Sequence, residues 1–139
     1  MDKNNAEGYC DSTLYEALTA IGQEVKKSRA FRPVVYICSP LAGDVDANQE
    51  KARKYCRFAV DSGYVPIAPH LLFPQFMDDS DPAERDLAMF MDTVLLTKCA
   101  ELWVFGDRIS RGMGIEIAKA VQKRKPVRYF TEELEELTS

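Results

Sequence analysis

The amino-acid sequence predicts an α/β protein, a three-layer open parallel sheet of four to five strands with helices on both faces. Short apolar runs, rich in β-branched and aromatic residues, alternate four times with helical patterns along the chain. This alternation is typical of parallel strands joined by right-handed helical crossovers. Ligands of such sheets bind beyond the carboxyl ends of the strands.

The first elements are an extra N-terminal helix and a buried strand. Apolar residues at helical spacing predict a helix over 13–27 with Ser12 as its N-cap. Arg32-Pro33 ends this segment, because proline disfavours helical backbone in the residue before it. The run 34–38 is continuously apolar, as in a parallel strand covered on both faces.

The rest of the chain continues the alternation. Gly63 is placed to end a helix, and Asp81-Pro82 to begin one, with aspartate as N-cap and proline in the first turn. The predicted elements are a helix over 48–62, a strand over 64–68, a proline-rich loop over 69–81, a helix over 82–98, a strand over 102–105, a glycine-rich connection over 106–114, a helix over 115–125, a strand over 126–130 and a short acidic helix over 132–137.

The composition predicts one domain over 1–139, with 1–31 as a helical extension and 33–130 as the core. The 139 residues are 46% hydrophobic and 29% charged, which suffices for one apolar core. The formal net charge of -4 argues against a nucleic-acid polymer or an anionic membrane as partner. No apolar run approaches the length of a membrane span, and residues 1–5 are polar. We therefore expect a cytoplasmic protein.

The four cysteines, Cys10, Cys38, Cys56 and Cys99, form no Cys-x-x-Cys pair. The chain has a single histidine, His70, so the sequence predicts no metal site. Buried free thiols in a reducing compartment are the expected state of these cysteines. No cofactor is implied.

Two turns at the ligand edge are candidates for the site. Residues 39–43 (Ser-Pro-Leu-Ala-Gly) follow the first strand, and 110–114 (Ser-Arg-Gly-Met-Gly) precede a helix. Glycine allows close backbone approach, and a helix start offers free N–H groups. Ser39, Gly43, Ser110, Gly112 and Gly114 are therefore candidate ligand-binding residues. The alternative is an ordinary glycine-rich loop in which Ser110 only caps the helix.

Glu116 and Asp92 are the candidate catalytic carboxylates. Near a helix start, the dipole predicts an ionised Glu116, a candidate nucleophile. Its alternative is a solvated glutamate paired with Lys119. Asp92 stands in an apolar helix, where lost solvation predicts a raised pKa and a role as acid. Its alternative is to cap a neighbouring loop. The apolar stretch 87–96 predicts a helix buried on more than one side, and hence a homo-oligomer.

Tyr36 and His70 complete the candidates. Tyr36 lies at the centre of the first strand, and His70 follows the second. The alternatives are a core aromatic residue and a hydrogen-bonded loop histidine.

Several of these motifs together resemble the nucleoside 2-deoxyribosyltransferase family, in its uncharacterised bacterial and phage branch. The resemblance rests on 35–43 (Val-Tyr-Ile-Cys-Ser-Pro-Leu-Ala-Gly), Asp92, 103–106 (Trp-Val-Phe-Gly) and Ser110-x-Gly-x-Gly-x-Glu116-Ile. It covers about 33–130. It implies a flavodoxin-like (Rossmann-like) fold and an enzyme that cleaves the bond between a base and deoxyribose.

The resemblance also implies residue roles. Glu116 corresponds to the nucleophile that attacks the anomeric carbon, Tyr36 to the tyrosine beside it, and Asp92 to an aspartate that contacts the nucleoside. Ser39, Gly43, Ser110 and Gly112 correspond to positions that line the sugar or, in nucleotide-cleaving members, the phosphate. The turn 39–43 lacks the arginine found there in nucleotide-cleaving members, and Arg108 or Arg111 is the candidate substitute. Nucleosides and nucleotides therefore both stay open as substrates, as do base and water as acceptors.

Three functional hypotheses follow. The first is cleavage or transfer at the N-glycosidic bond of a (deoxy)nucleoside or nucleotide. The second is a nucleotide-binding or sensing module without turnover. The third is a flavin or redox module, which the absence of an aromatic pair placed to sandwich a flavin argues against.

Overall fold

A computed structural model describes residues 12–28 and 30–138 of the chain. The chain divides into two compact units at the junction of Arg32 and Pro33. The first unit contains helix α1, Ser12–Ser28, which agrees with the predicted N-terminal helix. Cys10 lies outside the described residues.

The second unit alternates strands and helices as predicted. Its elements are β1 (Val34–Cys38), α2 (Val45–Asp61), β2 (Val65–Ile67), α3 (Pro69–Leu72), a 3-10 turn (Phe73–Gln75), α4 (Pro82–Lys98), β3 (Glu101–Phe105), α5 (Arg111–Gln122), β4 (Val127–Phe130) and β5 (Glu136–Leu137).

The strands form one sheet in the order β2-β1-β3-β4-β5. The first four strands are parallel, with Tyr36 level with Ile67 on one side and Leu102 on the other. β5 pairs antiparallel with β4. This is the flavodoxin-like order, and it confirms the predicted fold class. The connections from β1 and β3 leave the sheet in opposite directions, so a crevice opens between their carboxyl ends.

Alternate residues of the central strands point to opposite layers. Val35 and Ile37 pack with Trp103 and Phe105 against α2. The residues between them face α4 and α5, and comprise Tyr36, Cys38, Leu102 and Val104. The period of two along a strand thus produces the predicted three layers, since both sheet faces are covered.

The predicted C-terminal helix over 132–137 is wrong. The chain instead turns after β4, with Leu134 in the left-handed region at φ 72°, and returns as β5. Arg128 holds this return through a bidentate contact, Nε to Glu136 Oε2 at 2.8 Å and Nη2 to Oε1 at 2.7 Å. Pairing with the edge of the sheet outweighs the helical preference of a short glutamate-rich segment.

Several element boundaries differ from the predicted ones because of local capping. α2 begins three residues earlier than predicted, where Asp44 accepts a hydrogen bond from the Ala47 N–H at 3.1 Å. α5 begins at Arg111, because Ser110 Oγ accepts from the Met113 N–H at 3.3 Å. The segment predicted as loop 69–81 contains α3 and the 3-10 turn.

The apolar helix α4 is less covered than predicted. Leu96 is its only fully buried residue, while Leu87 is 48% and Phe90 65% exposed. The prediction that this helix is buried on more than one side therefore fails within a single chain. Within residues 12–28 and 30–138, no helix has the length and apolar character needed to cross a membrane.

Candidate active site

A cavity of about 560 Å³ opens beside the carboxyl end of β1. Its walls come from the β1–α2 turn, α3, the 3-10 turn, α4 and the start of α5. Its volume lies within the range of small-molecule sites, about 300–1,000 Å³. The structure brings most of the predicted site residues together here: Tyr36, Ser39, His70, Asp92, Ser110, Gly112 and Glu116.

Two predicted glycines do not line this cavity. Gly43 is an exposed turn residue at φ 97°, where a side chain would be strained, and its neighbours Leu41 and Ala42 line the cavity instead. Gly114 lies inside α5, with Ile109 Cγ2 at 4.0 Å from the position of a Cβ. The ligand-binding role predicted for these two glycines stays a prediction, and neither lies in the cavity wall.

The segment 110–114 is helix rather than loop. Once Ser110 caps α5, Gly112 and Gly114 fall within its first turns, with no positive φ. Ser110 therefore caps the helix, as the alternative has it, but the predicted loop is absent and Ser110 and Gly112 also line the cavity.

Glu116 reaches the sheet from the buried side of α5. It lies between Met113 and Ala120, which face the core three residues before it and four after it. The phenol of Tyr36 donates a hydrogen bond to Glu116 Oε2, and the thiol of Cys38 donates to Oε1 at 3.4 Å. Lys119, the alternative partner of Glu116, donates to Thr93 Oγ1 at 2.8 Å instead. Both carboxyl oxygens are thus held from β1.

Burial, with a smaller contribution from the charge of Asp92, raises the pKa of Glu116 to about 7 against the lowering effect of the Tyr36 and Cys38 hydrogen bonds. The prediction that the helix dipole keeps Glu116 ionised is therefore wrong. Glu116 is the sixth residue of α5, beyond the first turn in which the dipole acts. Desolvation dominates at that depth.

Asp92 occupies the same cavity with one oxygen left without a partner. Its Oδ1 is buried, and no hydrogen bond to it is found within the described residues. Burial raises the pKa of Asp92 to about 6, as the sequence predicts. The expectation that the two carboxyls shift in opposite directions is wrong, because both are desolvated in one cavity. A buried oxygen without a partner is available to a ligand.

Tyr36 is both a core residue and a site residue. Its side chain is 1% exposed, and its hydroxyl bonds to Glu116. Burial, followed by the carboxyl of Glu116, raises the pKa of Tyr36. The phenol therefore keeps its proton and acts as a donor.

Ser39 and His70 form a second polar pair in the cavity. Ser39 Oγ and His70 Nε2 share a hydrogen bond of 2.9 Å. Burial lowers the pKa of His70 to about 4, so the ring is neutral at neutral pH. The pair therefore offers hydroxyl and imidazole groups without charge.

The sequence reasoning missed Cys38 as a site residue. A thiol in an apolar strand resembles core packing, but Cys38 is two residues after Tyr36, so the strand period places both on one face. It also missed most of the outer wall of the cavity, which includes Phe73, Met77, Arg85 and Met89. These residues lie on elements whose placement depends on tertiary packing.

Nothing in the described part of the chain gathers three side chains that could hold a metal ion. The thiols of Cys38, Cys56 and Cys99 are free, and the first and last of these are buried.

Fold and cavity together define a flavodoxin-like α/β protein with a carboxyl-bearing candidate site at the switch point of its sheet. The chain belongs to the family described as a domain of unknown function (DUF7768), whose model matches residues 33–130. The matched range runs from the residue before β1 to the end of β4, and so contains every residue that lines the cavity.

A solved 2-deoxyribosyltransferase from the psychrotolerant bacterium Bacillus psychrosaccharolyticus is similar in fold. It superimposes with a TM-score of 0.57 at 18% identity, over 76% of this chain and 77% of that chain. That enzyme is described as a biocatalyst for the synthesis of antiviral and antitumoral nucleosides. A search of curated proteins finds no match.

Proposed function

We propose that this protein is an enzyme that cleaves or transfers at the N-glycosidic bond of a (deoxy)nucleoside or nucleotide, with Glu116 as the nucleophile. The observation that carries the proposal is a buried Glu116 carboxyl, held by Tyr36 and Cys38, in one cavity with Asp92. The fold similarity to a 2-deoxyribosyltransferase supports a nucleoside as the substrate class.

In the proposed first step, an oxygen of ionised Glu116 attacks the anomeric carbon of the sugar. The new C–O bond forms as the C–N bond breaks, and the electron pair of the broken C–N bond stays on the base nitrogen. The reacting form of the pair carries its proton on Asp92, which gives that proton to the nitrogen from a carboxyl group with a raised pKa and a free Oδ1. Because the pKa of Glu116 is the higher of the two, this form is the less populated one. The products are a sugar ester of Glu116 and a neutral base.

In the second step, water or another base displaces Glu116 from the anomeric carbon. The attacking oxygen or nitrogen forms the new bond, the ester C–O bond breaks, and Asp92 recovers the proton that the attacking group loses. Water gives hydrolysis, and a base gives transfer. A carboxylate nucleophile, together with a second carboxyl group that acts first as acid and then as base, is the usual machinery of such double displacements.

The cavity walls supply complementary surfaces for the two halves of the substrate. We assign the apolar wall of Phe73, Met77 and Met89 to the base, because flat heterocycles bind against aromatic and thioether side chains. We assign the neutral pair of Ser39 and His70 and the hydroxyl of Ser110 to the sugar or its phosphate.

We further propose a homo-oligomer in the cytoplasm, with neither nucleic-acid polymer nor membrane as partner. The exposed apolar residues Leu87, Phe90 and Val94 of α4 favour a second copy as cover. Light scattering that gives the mass of one chain, 15.7 kDa, would contradict the oligomer. The free thiols of the described residues are compatible with a reducing compartment.

The test is release of free base from a panel of nucleosides and their monophosphates. The Glu116→Gln variant keeps the shape of the side chain and removes the nucleophile, so we expect base release to fall by about 10³-fold or more. Glu132→Gln is the control, because Glu132 is on the α2 side and pairs with the exposed Lys51. Mass spectrometry of quenched wild-type protein should detect a sugar on Glu116.

The sensing alternative makes a different prediction for the same panel. It predicts a nucleotide that binds to wild type and to Glu116→Gln with equal affinity and is never cleaved. That result would refute the catalytic proposal.

A further inference from the structure

We propose that Cys38 is a positioning residue for Glu116, and that its thiol selects Oε1 as the attacking oxygen. This inference rests on the proposed function for its chemistry, but the geometry behind it concerns this chain alone. Tyr36 and Cys38 are alternate residues of β1 on the face toward α5. Tyr36 donates to Oε2 and Cys38 to Oε1 of the Glu116 carboxyl group.

The thiol of Cys38 has a clear hydrogen-bond partner in Glu116. Cys38 is 0% exposed, so water does not compete for its proton. Its Sγ lies 3.4 Å from Glu116 Oε1 and 3.9 Å from the Met113 carbonyl oxygen. The carboxylate is nearer and charged, so it is the stronger acceptor. Burial, followed by the charge of Glu116, raises the pKa of the thiol, which therefore remains a donor.

The two donors are unequal, and this inequality distinguishes the two oxygens. A phenol is a strong donor and draws electron density from Oε2, whereas a thiol is a weak donor. Oε1 therefore keeps more of the charge and is the better nucleophile. The thiol still fixes the plane of the carboxyl group, so Oε1 is oriented without being neutralised.

The competing explanation is that Cys38 only fills the core. The variants Cys38→Ala and Cys38→Ser separate the two explanations. Alanine and serine are both smaller than cysteine, but only serine keeps a hydrogen-bond donor. If Cys38 positions Glu116, the alanine variant titrates Glu116 at a higher pH and the serine variant restores the lower pKa. If Cys38 only packs, the two variants behave alike.

Other charged groups near Glu116 are unchanged in this comparison. Tyr36 faces Glu116 from β1 and Asp92 from α4, while Lys119 on α5 is bonded to Thr93. The cavity is further lined by the ionisable side chains of His70, Asp78, Asp79, Glu84, Arg85 and Arg111. Since none is substituted, a difference between the alanine and serine variants reports on the donor at position 38.

The experiment is a ¹³C NMR titration of carboxyl-labelled glutamate in the full chain, with the Glu116 signal assigned by its loss in Glu116→Gln. Cys99→Ala is the matched control, because Cys99 is buried in the same core cluster but its thiol donates to the Leu95 carbonyl rather than to Glu116. Relative to that control, Cys38→Ala should raise the pKa of Glu116, and Cys38→Ser should lie below Cys38→Ala. Either the absence of a shift in Cys38→Ala or equal values for both variants overturns the proposal.

The same variants are then assayed for base release. We expect kcat of Cys38→Ala to fall by about tenfold, the equivalent of one hydrogen bond to a charged group, with little change in KM. Cys38→Ser should recover part of this loss. The NMR titration needs no substrate, so it tests the position of Glu116 even if no base is released. Absence of base release in wild type refutes the proposed function alone.

Discussion

The two faces of the sheet are built from the same strands but have opposite properties. On the α2 face, Tyr55 stacks on Phe105 with ring centroids 4.1 Å apart, and Phe105 stacks on Phe130 at 5.0 Å. On the α4 and α5 face, Tyr36 and Cys38 bond to a buried carboxyl group beside an open cavity. One face is closed and apolar, and the other combines apolar packing with polar groups that face a cavity.

This difference divides stability and chemistry between the two faces. Close aromatic packing contributes dispersion and hydrophobic free energy without polar groups. The other face buries two carboxyl groups with raised pKa values, which costs free energy. We infer that the closed face offsets this cost, since a small domain has little stability to spare.

The largest expected effect on stability comes from the closed face. Phe105 is 0% exposed and contacts the rings of Tyr55, Phe58 and Phe130. Phe105→Ala should lower the free energy of unfolding by about 3–5 kcal/mol, because it leaves a cavity in a close-packed core. Urea unfolding, monitored by circular dichroism, measures this change in the free energy of unfolding.

The control for that experiment is Val121→Ala. Val121 is 63% exposed, and its truncation should change stability by less than about 0.5 kcal/mol. A loss below about 1 kcal/mol in Phe105→Ala would show that the aromatic layer is not the main support of the fold.

The second effect concerns the open face, where removal of a charge should stabilise the protein. Burial raises the pKa of Glu116 from 4.5 to about 7. Its ionisation therefore opposes folding, and this face loses stability as pH rises from about 4.5 through 7. Glu116→Gln should nearly match wild type at pH 4.5 and exceed it by about 3 kcal/mol at pH 8, from about 1.4 kcal/mol per unit of pKa.

The measurement is urea unfolding of both proteins at several pH values between 4.5 and 8. Glu132→Gln is again the control, since Glu132 is half exposed in its pair with Lys51. A gap that is constant with pH would mean that Glu116 titrates in the folded protein as it does in the unfolded chain.

The contrast between the faces also explains what the sequence could predict. Continuous apolar strands such as 34–38 predict a doubly covered parallel sheet, because that pattern depends on local composition. Tyr36, Asp92 and Glu116 were predicted as site residues from their types, their positions and the family resemblance, and all three line the cavity. The raised pKa of Glu116 was not predicted, because it depends on the residue at which α5 begins. The cap by Ser110 decides where that is.

Other features depend on packing that no local pattern encodes. Residues 132–137 have helical propensity, but Arg128 and the edge of β4 draw them into a strand. Gly43 and Gly114 were assigned to ligand binding from residue type and turn position and, for Gly43, from the family resemblance. Neither lines the cavity, because Gly43 lies in an exposed turn and Gly114 within α5.

The smallest expected effect separates the roles of the two carboxyl groups on the open face. With pKa values of about 6 for Asp92 and about 7 for Glu116, the pair carries one proton between these values and titrates as a coupled unit. A nucleophile needs its proton removed and an acid needs its proton retained. Wild-type kcat/KM should therefore rise through about 6 and fall above about 7.

Asp92→Asn should lower the maximum of kcat/KM by about 10²-fold, as expected for a general acid, and should remove the fall above pH 7. The rise should remain and report Glu116 alone, at a pKa somewhat below about 7, because the charge of Asp92 is one of the smaller causes of its raised pKa. Base release assayed from pH 5 to 9 measures both limbs, with Asp86→Asn on the exposed side of α4 as control. If the alkaline limb persists in Asp92→Asn, another group protonates the base, and the open face carries one catalytic carboxyl group rather than two.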